Sequence, residues 1–175
     1  RNSVRVFSRH DAVRQSVLER VRHAATLAHA IAPELSPATI VSRVAVADTL
    51  ADALHGAEWV QESIEESVEG KQRLFAELDR LSPPGAILAS STSSIAMSII
   101  AGDVPGRARC IVAHPATPPH LIPVVEMVPA PFTDTGVVDR AFSTMRAVGQ
   151  HPVLVQRERP GFVMNRLQGD RKSVV

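Results

Sequence analysis

The sequence predicts an α/β fold built on a largely parallel sheet, and three observations carry that prediction. Short apolar runs alternate along the chain with longer stretches of helical periodicity. The connections between them are short. Gly, Pro and Ser punctuate the boundaries, and no internal repeat or low-complexity linker interrupts the alternation.

The elements follow in order. Val4-Arg5-Val6-Phe7 alternates as a strand does, Ser8-Arg9-His10 follows, and Asp11 is the expected N-cap of a helix. Residues 12–31 are expected to be helical, because Val13, Val17, Val21, Ala24 and Leu27 recur at spacings of three and four. Ser36-Pro37 opens a short helical piece, residues 43–46 form a second strand, and residues 48–54 are helical up to Gly56. Residues 58–62 read as a third strand. Residues 68–81 form an amphipathic helix with Leu74, Leu78 and Leu81 on one face, and Pro83-Pro84-Gly85 ends it. A strand over 86–89, the run Ser90-Ser91-Thr92-Ser93-Ser94, and a short apolar helix over 95–101 come next. Two apolar strands, 110–113 and 124–128, precede a helix over 134–148 and a last strand over 151–156. Pro160-Gly161 is expected to start a helix carrying Asn165, which divides the chain into residues 1–159 and the beginning of a second domain, residues 160–175.

Composition narrows the function. The net charge of +1 leaves no electrostatic footprint for nucleic acid, and 3% aromatic residues with no Tyr leave no base-stacking surface. Cys110 is the single cysteine, so no intramolecular disulfide forms and a reducing, cytoplasmic setting is expected. Cys110 itself lies in an apolar run as a small hydrophobe. No apolar run approaches membrane-spanning length, and no signal peptide opens the sequence.

The chemistry gathers at residues 110–128. The strand over 110–113 delivers His114 at its end, a Pro-rich turn follows, and the next strand carries Glu126 on the face of Val124 and Val128. A carboxylate among valines either faces solvent or has a partner, and His114 is the nearest candidate. A His held by a carboxylate has one ring nitrogen committed as a donor and the other available to take a proton. The plainer alternative is a solvated strand-end His beside an edge-strand Glu. The hydroxyl run 90–94 exceeds what N-capping needs and stands where open α/β sheets bind ligands. The segment E-S-I-E-E-S-V-E-G-K, residues 62–71, follows another strand, and its acids suit a solvated helix start.

Three motifs in this order, I-L-A-S-S-T-S-S-I, A-H-P-A-T-P-P-H-L-I-P-V-V-E-M-V and P-G-F-V-M-N-R-L, resemble the L-3-hydroxyacyl-CoA dehydrogenase family over residues 4–168. The double Pro after the His and the N-R-L-Q ending look closest to its lambda-crystallin, or L-gulonate 3-dehydrogenase, branch. The resemblance implies a Rossmann-like fold and nicotinamide-dependent oxidation of a 3-hydroxyl to a ketone, on a small 3-hydroxyacyl-CoA or a free 3-hydroxy acid such as L-gulonate. It implies NAD as cofactor and a homodimeric parent enzyme. It makes His114 the general base, Glu126 the group that orients it, Ser93 a hydrogen-bond partner of substrate and cofactor, and Asn165 a further member of the site. It also places Glu66, Lys71 and Thr117 near the cofactor, with Ser8 and Arg9 at the adenosine ribose.

Departures from the family pattern shape further expectations. No G-x-G-x-x-G fingerprint occurs in the sequence, and residues 169–175 do not resemble the family's continuing helix. The expectation is a fragment truncated at the N-terminal βα unit and lacking the C-terminal helical domain, or a non-catalytic structural protein of the crystallin kind. Thr117 stands where the family has Asn, and Ser8 where an acid binds the ribose. With that acid gone and Arg9 adjacent, NADP becomes admissible beside NAD.

Overall fold

Valine-rich runs too short to stand alone make the first two strands. The structure is a computed structural model that describes residues 3–30, 33 and 36–167. It divides into two compact units, Arg1–Gly56 and Ala57–Val175. In the first, β1 (Val4–Val6) and β2 (Val44–Val46) pair in parallel, with Val4 opposite Val44. Parallel neighbours need a long crossover. Here it contains α1 (Asp11–His29) and α2 (Pro37–Val41). Ser36 caps α2 by accepting from the Thr39 N–H at 3.2 Å, and Pro37 occupies the first turn. Thr49 caps α3 (Leu50–Leu54) in the same way at 3.1 Å.

The start of α1 departs from expectation. Asp11 is not the N-cap; His10 holds that position and makes no side-chain cap bond. The Ser8 hydroxyl takes the His10 N–H at 3.2 Å instead, closing a turn one residue earlier than the sequence pattern suggests. Asp11 sits inside the first turn, where the helix end favours an acid, and accepts from the Arg14 guanidinium. Ile31, the expected end of this helix, lies outside the described residues.

The second unit is one five-stranded sheet in sequence order: β3 (Trp59–Glu62), β4 (Ile87–Ser90), β5 (Cys110–Pro115), β6 (Val124–Pro129) and β7 (His151–Leu154). The pairs β3–β4, β4–β5 and β6–β7 are parallel. Their connections include α4 (Val68–Leu81), α5 (Met97–Ile100) and α6 (Thr135–Ala147) respectively. The β5–β6 pair is antiparallel, because residues 116–123 are too few for a helical crossover. The fold is α/β and Rossmann-like, with the largely parallel sheet that the alternation of elements predicts.

Caps set the helix bounds. Ser67 accepts from the Gly70 N–H at 3.2 Å and Asp134 from the Gly136 N–H at 2.7 Å, so α4 and α6 begin at the residues after them. α5 is shorter than the expected 95–101. The Thr92 hydroxyl takes the N–H groups of Ser94 and Ile95 at 3.3 and 2.9 Å, and Ala96 stays extended. The expected helix at Pro160 is instead a turn over 160–163 followed by helical geometry from Met164. Gly161 and Phe162 both have positive φ, +75° and +46°, which a helix start excludes.

Each face of the larger sheet has its own core. Ile87, Ala89, Ile111, Ala113, Val125 and Met127 pack on Val137 and Ala141 of α6. The alternate residues Leu88, Cys110, Val112 and Val128 are buried as well, as are Phe75 and Leu78 of α4 and Met97 and Ile100 of α5. Burial disfavours the Cys110 thiolate and pushes its thiol pKa up to about 12, so this cysteine behaves as the small hydrophobe expected. Among the described residues no helix is long and apolar enough to cross a membrane.

One ion pair anchors the end of α4. Arg109 donates to the Asp79 carboxylate and carbonyl, both at 2.8 Å, and to the Pro83 carbonyl at 2.6 Å. Asp79 also accepts from the Gly106 N–H at 3.1 Å. A Cβ at Gly106 would lie 2.0 Å from Asp79 Oδ1. Gly106→Ala is therefore expected to destabilise the protein by about 1–3 kcal/mol, because Asp79 must release Arg109 to clear the methyl group. A urea midpoint unchanged from the parent would contradict this account.

Candidate active site

The antiparallel pairing of β5 and β6 places His114 directly opposite Glu126. Directly opposed residues share a sheet face and lie within side-chain reach. Glu126 Oε2 meets His114 Nδ1 at 2.8 Å. Both residues are buried, with His114 8% and Glu126 2% exposed, so the solvated-loop alternative is excluded. The other carboxylate oxygen, Oε1, accepts from the backbone N–H groups of Val163 and Met164 at 2.8 and 2.9 Å. The carboxylate is thus satisfied on both sides, which its burial requires. The turn at 160–163 makes this possible. Phe162, buried at 1% exposure, sets its ring 5.8 Å from the His114 ring, and the two N–H groups that follow face Glu126. With Nδ1 committed to the carboxylate, Nε2 is the nitrogen left for proton exchange.

The serine-rich loop stands at the carboxyl end of β4. Asn165 Nδ2 donates to the Ser93 carbonyl at 3.0 Å, which ties the last described turn to this loop. Four donors from the loop converge on Glu66 Oε1: Thr92 Oγ1 at 2.6 Å, Ser93 N at 3.0 Å, and Ser94 N and Oγ, both at 3.1 Å. Burial pushes the Glu66 carboxyl up, but hydrogen bonds from Thr92 and Ser94, the charge of Lys71 and the Ser93 N–H together outweigh it and hold the group below its ordinary 4.5.

Lys71 is 1% exposed and points inward, with Nζ 2.8 Å from Glu62 Oε1 and 3.6 Å from Glu66 Oε2. Glu62 also accepts from the Ile64 N–H at 2.6 Å and, through Oε2, from the Ser90 hydroxyl at 2.5 Å. The sequence reading takes Glu65, Glu66 and Glu69 as a solvated helix start; Glu65 and Glu69 are exposed, Glu66 is instead engaged by the serine-rich loop, and Glu62, at the end of the strand before them, is buried. Two signals pointed to Glu62: it ends a strand, and a cation follows nine positions later. Phe162 is the other participant that sequence reasoning missed; its position after a Pro-Gly turn was the only available signal.

The expected site residues thus fall into groups. Hydrogen bonds connect His114 with Glu126 and Ser93 with Asn165 and Glu66, and an ion pair links Glu66 with Lys71 at 3.6 Å. Thr117 is exposed, three positions beyond His114, and joins none of these bonds. Ser8 and Arg9 belong to the N-terminal unit, at the carboxyl end of β1, where Arg9 is exposed. No cluster of potential metal ligands occurs among the described residues.

Residues 2–159 match the family model "3-hydroxyacyl-CoA dehydrogenase, NAD binding domain". The chain belongs to the 3-hydroxyacyl-CoA dehydrogenase family. It is 42% identical over 135 residues to the lambda-crystallin homolog of Bos taurus, covering 77% of this chain and 42% of that protein. It is 39% identical over 137 residues to the L-carnitine dehydrogenase of Nocardiopsis dassonvillei, again 77% of this chain and 42% of the relative. The chain thus spans about two fifths of the length of these relatives. Among solved structures, that of FadB2 from M. tuberculosis superimposes with a TM-score of 0.86 at 28% identity, over 94% of this chain and 59% of the other. The family model describes a nicotinamide-dinucleotide-binding domain, in line with the Rossmann-like sheet.

Proposed function

We propose that this chain forms the catalytic and cofactor-binding part of an oxidoreductase that converts a 3-hydroxyl to a ketone with a nicotinamide cofactor. The observation that carries the proposal is the His114–Glu126 pair, buried, with both carboxylate oxygens engaged and Nε2 left over. His114 takes the hydroxyl proton at Nε2, and Glu126 holds the ring and stabilises its charged form. Ser93 donates its hydroxyl to the substrate oxygen, and Asn165 fixes the Ser93 backbone. When bound, the cofactor supplies the hydride chemistry. The groups that follow the carboxyl ends of β3, β4 and β5 suit its nicotinamide end, with Glu66 and Lys71 after β3, Ser93 after β4 and Thr117 after β5 the residues nearest that role. Residues 160–167 begin a second, helical domain, and the family resemblance supports a cytoplasmic homodimer. The net charge of +1 supports a small-molecule partner rather than nucleic acid.

The family description supports a 3-hydroxyacyl-CoA as substrate. A free 3-hydroxy acid is the second reading, supported by the similarity to an L-carnitine dehydrogenase. Assays of the purified protein with NAD and 3-hydroxybutyryl-CoA, L-gulonate or L-carnitine separate the two. Absence of turnover on every 3-hydroxy substrate would refute the proposal.

Cofactor choice turns on Ser8 and Arg9. An acid at the end of this strand would repel a 2′-phosphate; Ser8 does not, and Arg9 offers a planar fork of donors. NAD remains the proposed cofactor, with weakened discrimination against NADP. Arg9→Ala is expected to lower kcat/KM for NADP by about tenfold, the worth of one hydrogen bond to a charged group, and to leave NAD unaffected. An NAD-to-NADP ratio that does not move contradicts the assignment.

A further inference from the structure

Helix α5 starts without a cap of its own. Ala96 stands at its N-cap and offers no side-chain acceptor, which leaves a donor in the first turn to be met from elsewhere. The acceptor comes from far along the chain: Glu158 Oε1 takes the Ser98 N–H at 2.9 Å, across 60 residues. Glu158 is half-buried and stands on the connector between β7 and the turn over 160–163. Val155, at the start of this connector, donates its N–H to the Met127 carbonyl at 2.9 Å. Among the described residues, the Glu158 bond is the connector's one tie to another segment between Val155 and the turn.

The same two stretches meet a second time. Beyond the turn, Asn165 Nδ2 donates to the Ser93 carbonyl at 3.0 Å. Residues 158–165 thus form a strap pinned at both ends on residues 93–98. Between the pins lies all that the strap gives the acid–base pair. The ring of Phe162 sits 5.8 Å from that of His114, and the Val163 and Met164 N–H groups meet Glu126 Oε1 at 2.8 and 2.9 Å. The strap also holds the left-handed pair Gly161 and Phe162. A phenylalanine adopts that conformation only where its surroundings impose it, so the turn needs fixed ends to keep its shape.

We infer that Glu158 is a positioning residue: by gripping the start of α5 it fixes the near end of the strap, so that Val163 and Met164 reach Glu126 and Phe162 reaches His114. Its carboxylate bonds to Ser98 and not to His114 or Glu126, so it acts on the pair through the strap. The consequence for turnover rests on the proposed function; the strap itself does not.

Two variants test the inference: Glu158→Ala removes the acceptor, and Glu158→Gln keeps it. The first measurement needs neither cofactor nor activity. In Glu158→Ala, amide hydrogen exchange at Ser98, Val163 and Met164 should quicken by about tenfold or more, the worth of a hydrogen bond to a charged group, while the amides of β5 and β6 keep their parental rates. Glu158→Gln should stay within about threefold of the parent. The second measurement is kinetic. Glu158→Ala should lower kcat by about tenfold with KM for NAD within about twofold. In a Glu126→Gln background the same change should cost about threefold at most, because the strap acts chiefly through Glu126. Four outcomes overturn the inference: unchanged exchange at Val163 and Met164, equal quickening throughout β5 and β6, a glutamine variant as impaired as the alanine one, or a full tenfold loss on top of Glu126→Gln. If the parent protein oxidises no 3-hydroxy substrate, the proposed function falls and the exchange results alone decide the role of Glu158.

Discussion

Replacing Glu126 with glutamine is expected to lower kcat by about 10²- to 10⁴-fold while KM changes little. The reason is the two-sided demand on this side chain. The carboxylate accepts from the Val163 and Met164 N–H groups on one oxygen and meets His114 Nδ1 with the other. Glutamine has one accepting end and one donating end. If its oxygen faces the two N–H groups, its NH₂ faces Nδ1. That nitrogen must then accept, so the ring proton moves to Nε2 and the base is lost. If the amide flips, its NH₂ confronts two backbone donors in a buried place, which costs about 1–3 kcal/mol per unmet group. Steady-state kinetics of Glu126→Gln check the first outcome and its melting temperature the second. A variant that retains more than about a tenth of parental turnover, with a parental melting temperature, would remove Glu126 from the mechanism.

Lys71→Met is expected to be the most destabilising single change in the larger unit, at about 3–5 kcal/mol. It deletes the ammonium that faces Glu62, whose side chain is fully buried. The Ile64 N–H and the Ser90 hydroxyl remain on that carboxylate, but a buried charge without a counter-charge is costly. The double variant Lys71→Met/Glu62→Gln should recover a large part of the loss, because it removes both charges together. Denaturant unfolding of the two single variants and the double variant measures this coupling. Additive effects, or a Lys71→Met variant within 1 kcal/mol of the parent, would show that the pair is not energetically linked.

How much of this could be read from the chain depends on which interactions are local. Helix α4 begins and ends where the periodicity and the following Pro83-Pro84-Gly85 indicate. His114 and Glu126 were identifiable because a carboxylate among strand valines demands a partner, and a histidine stands at the end of the preceding strand, twelve positions away. The antiparallel turn over 116–123 then leaves one plausible pairing. Glu62 was hidden among neighbouring acids, since the pattern E-S-I-E-E-S-V-E does not mark which carboxylate turns inward. That is decided by the strand register, which puts Glu62 beside Ser90 and away from solvent. Phe162 was hidden for another reason. Its left-handed backbone conformation is common for Gly and rare for Phe, so the local pattern favoured a helix there. The burial of its ring against His114, a tertiary contact, reverses that preference.

The single antiparallel pairing also orders events when the chain folds. The His114–Glu126 contact closes a loop of 12 residues, whereas Asn165 on Ser93 closes one of 72, at an entropic cost about 1.6 kcal/mol greater. The acid–base pair is thus a local product of one turn, available as soon as β5 and β6 meet. The two N–H groups that complete it arrive from 37 and 38 residues along the chain, together with Asn165. Partial unfolding is therefore expected to dismantle the site in reverse, with the docked turn at 160–167 leaving before the histidine parts from its carboxylate, an order that native-state hydrogen exchange at Val163 and Met164 against β5 and β6 would check.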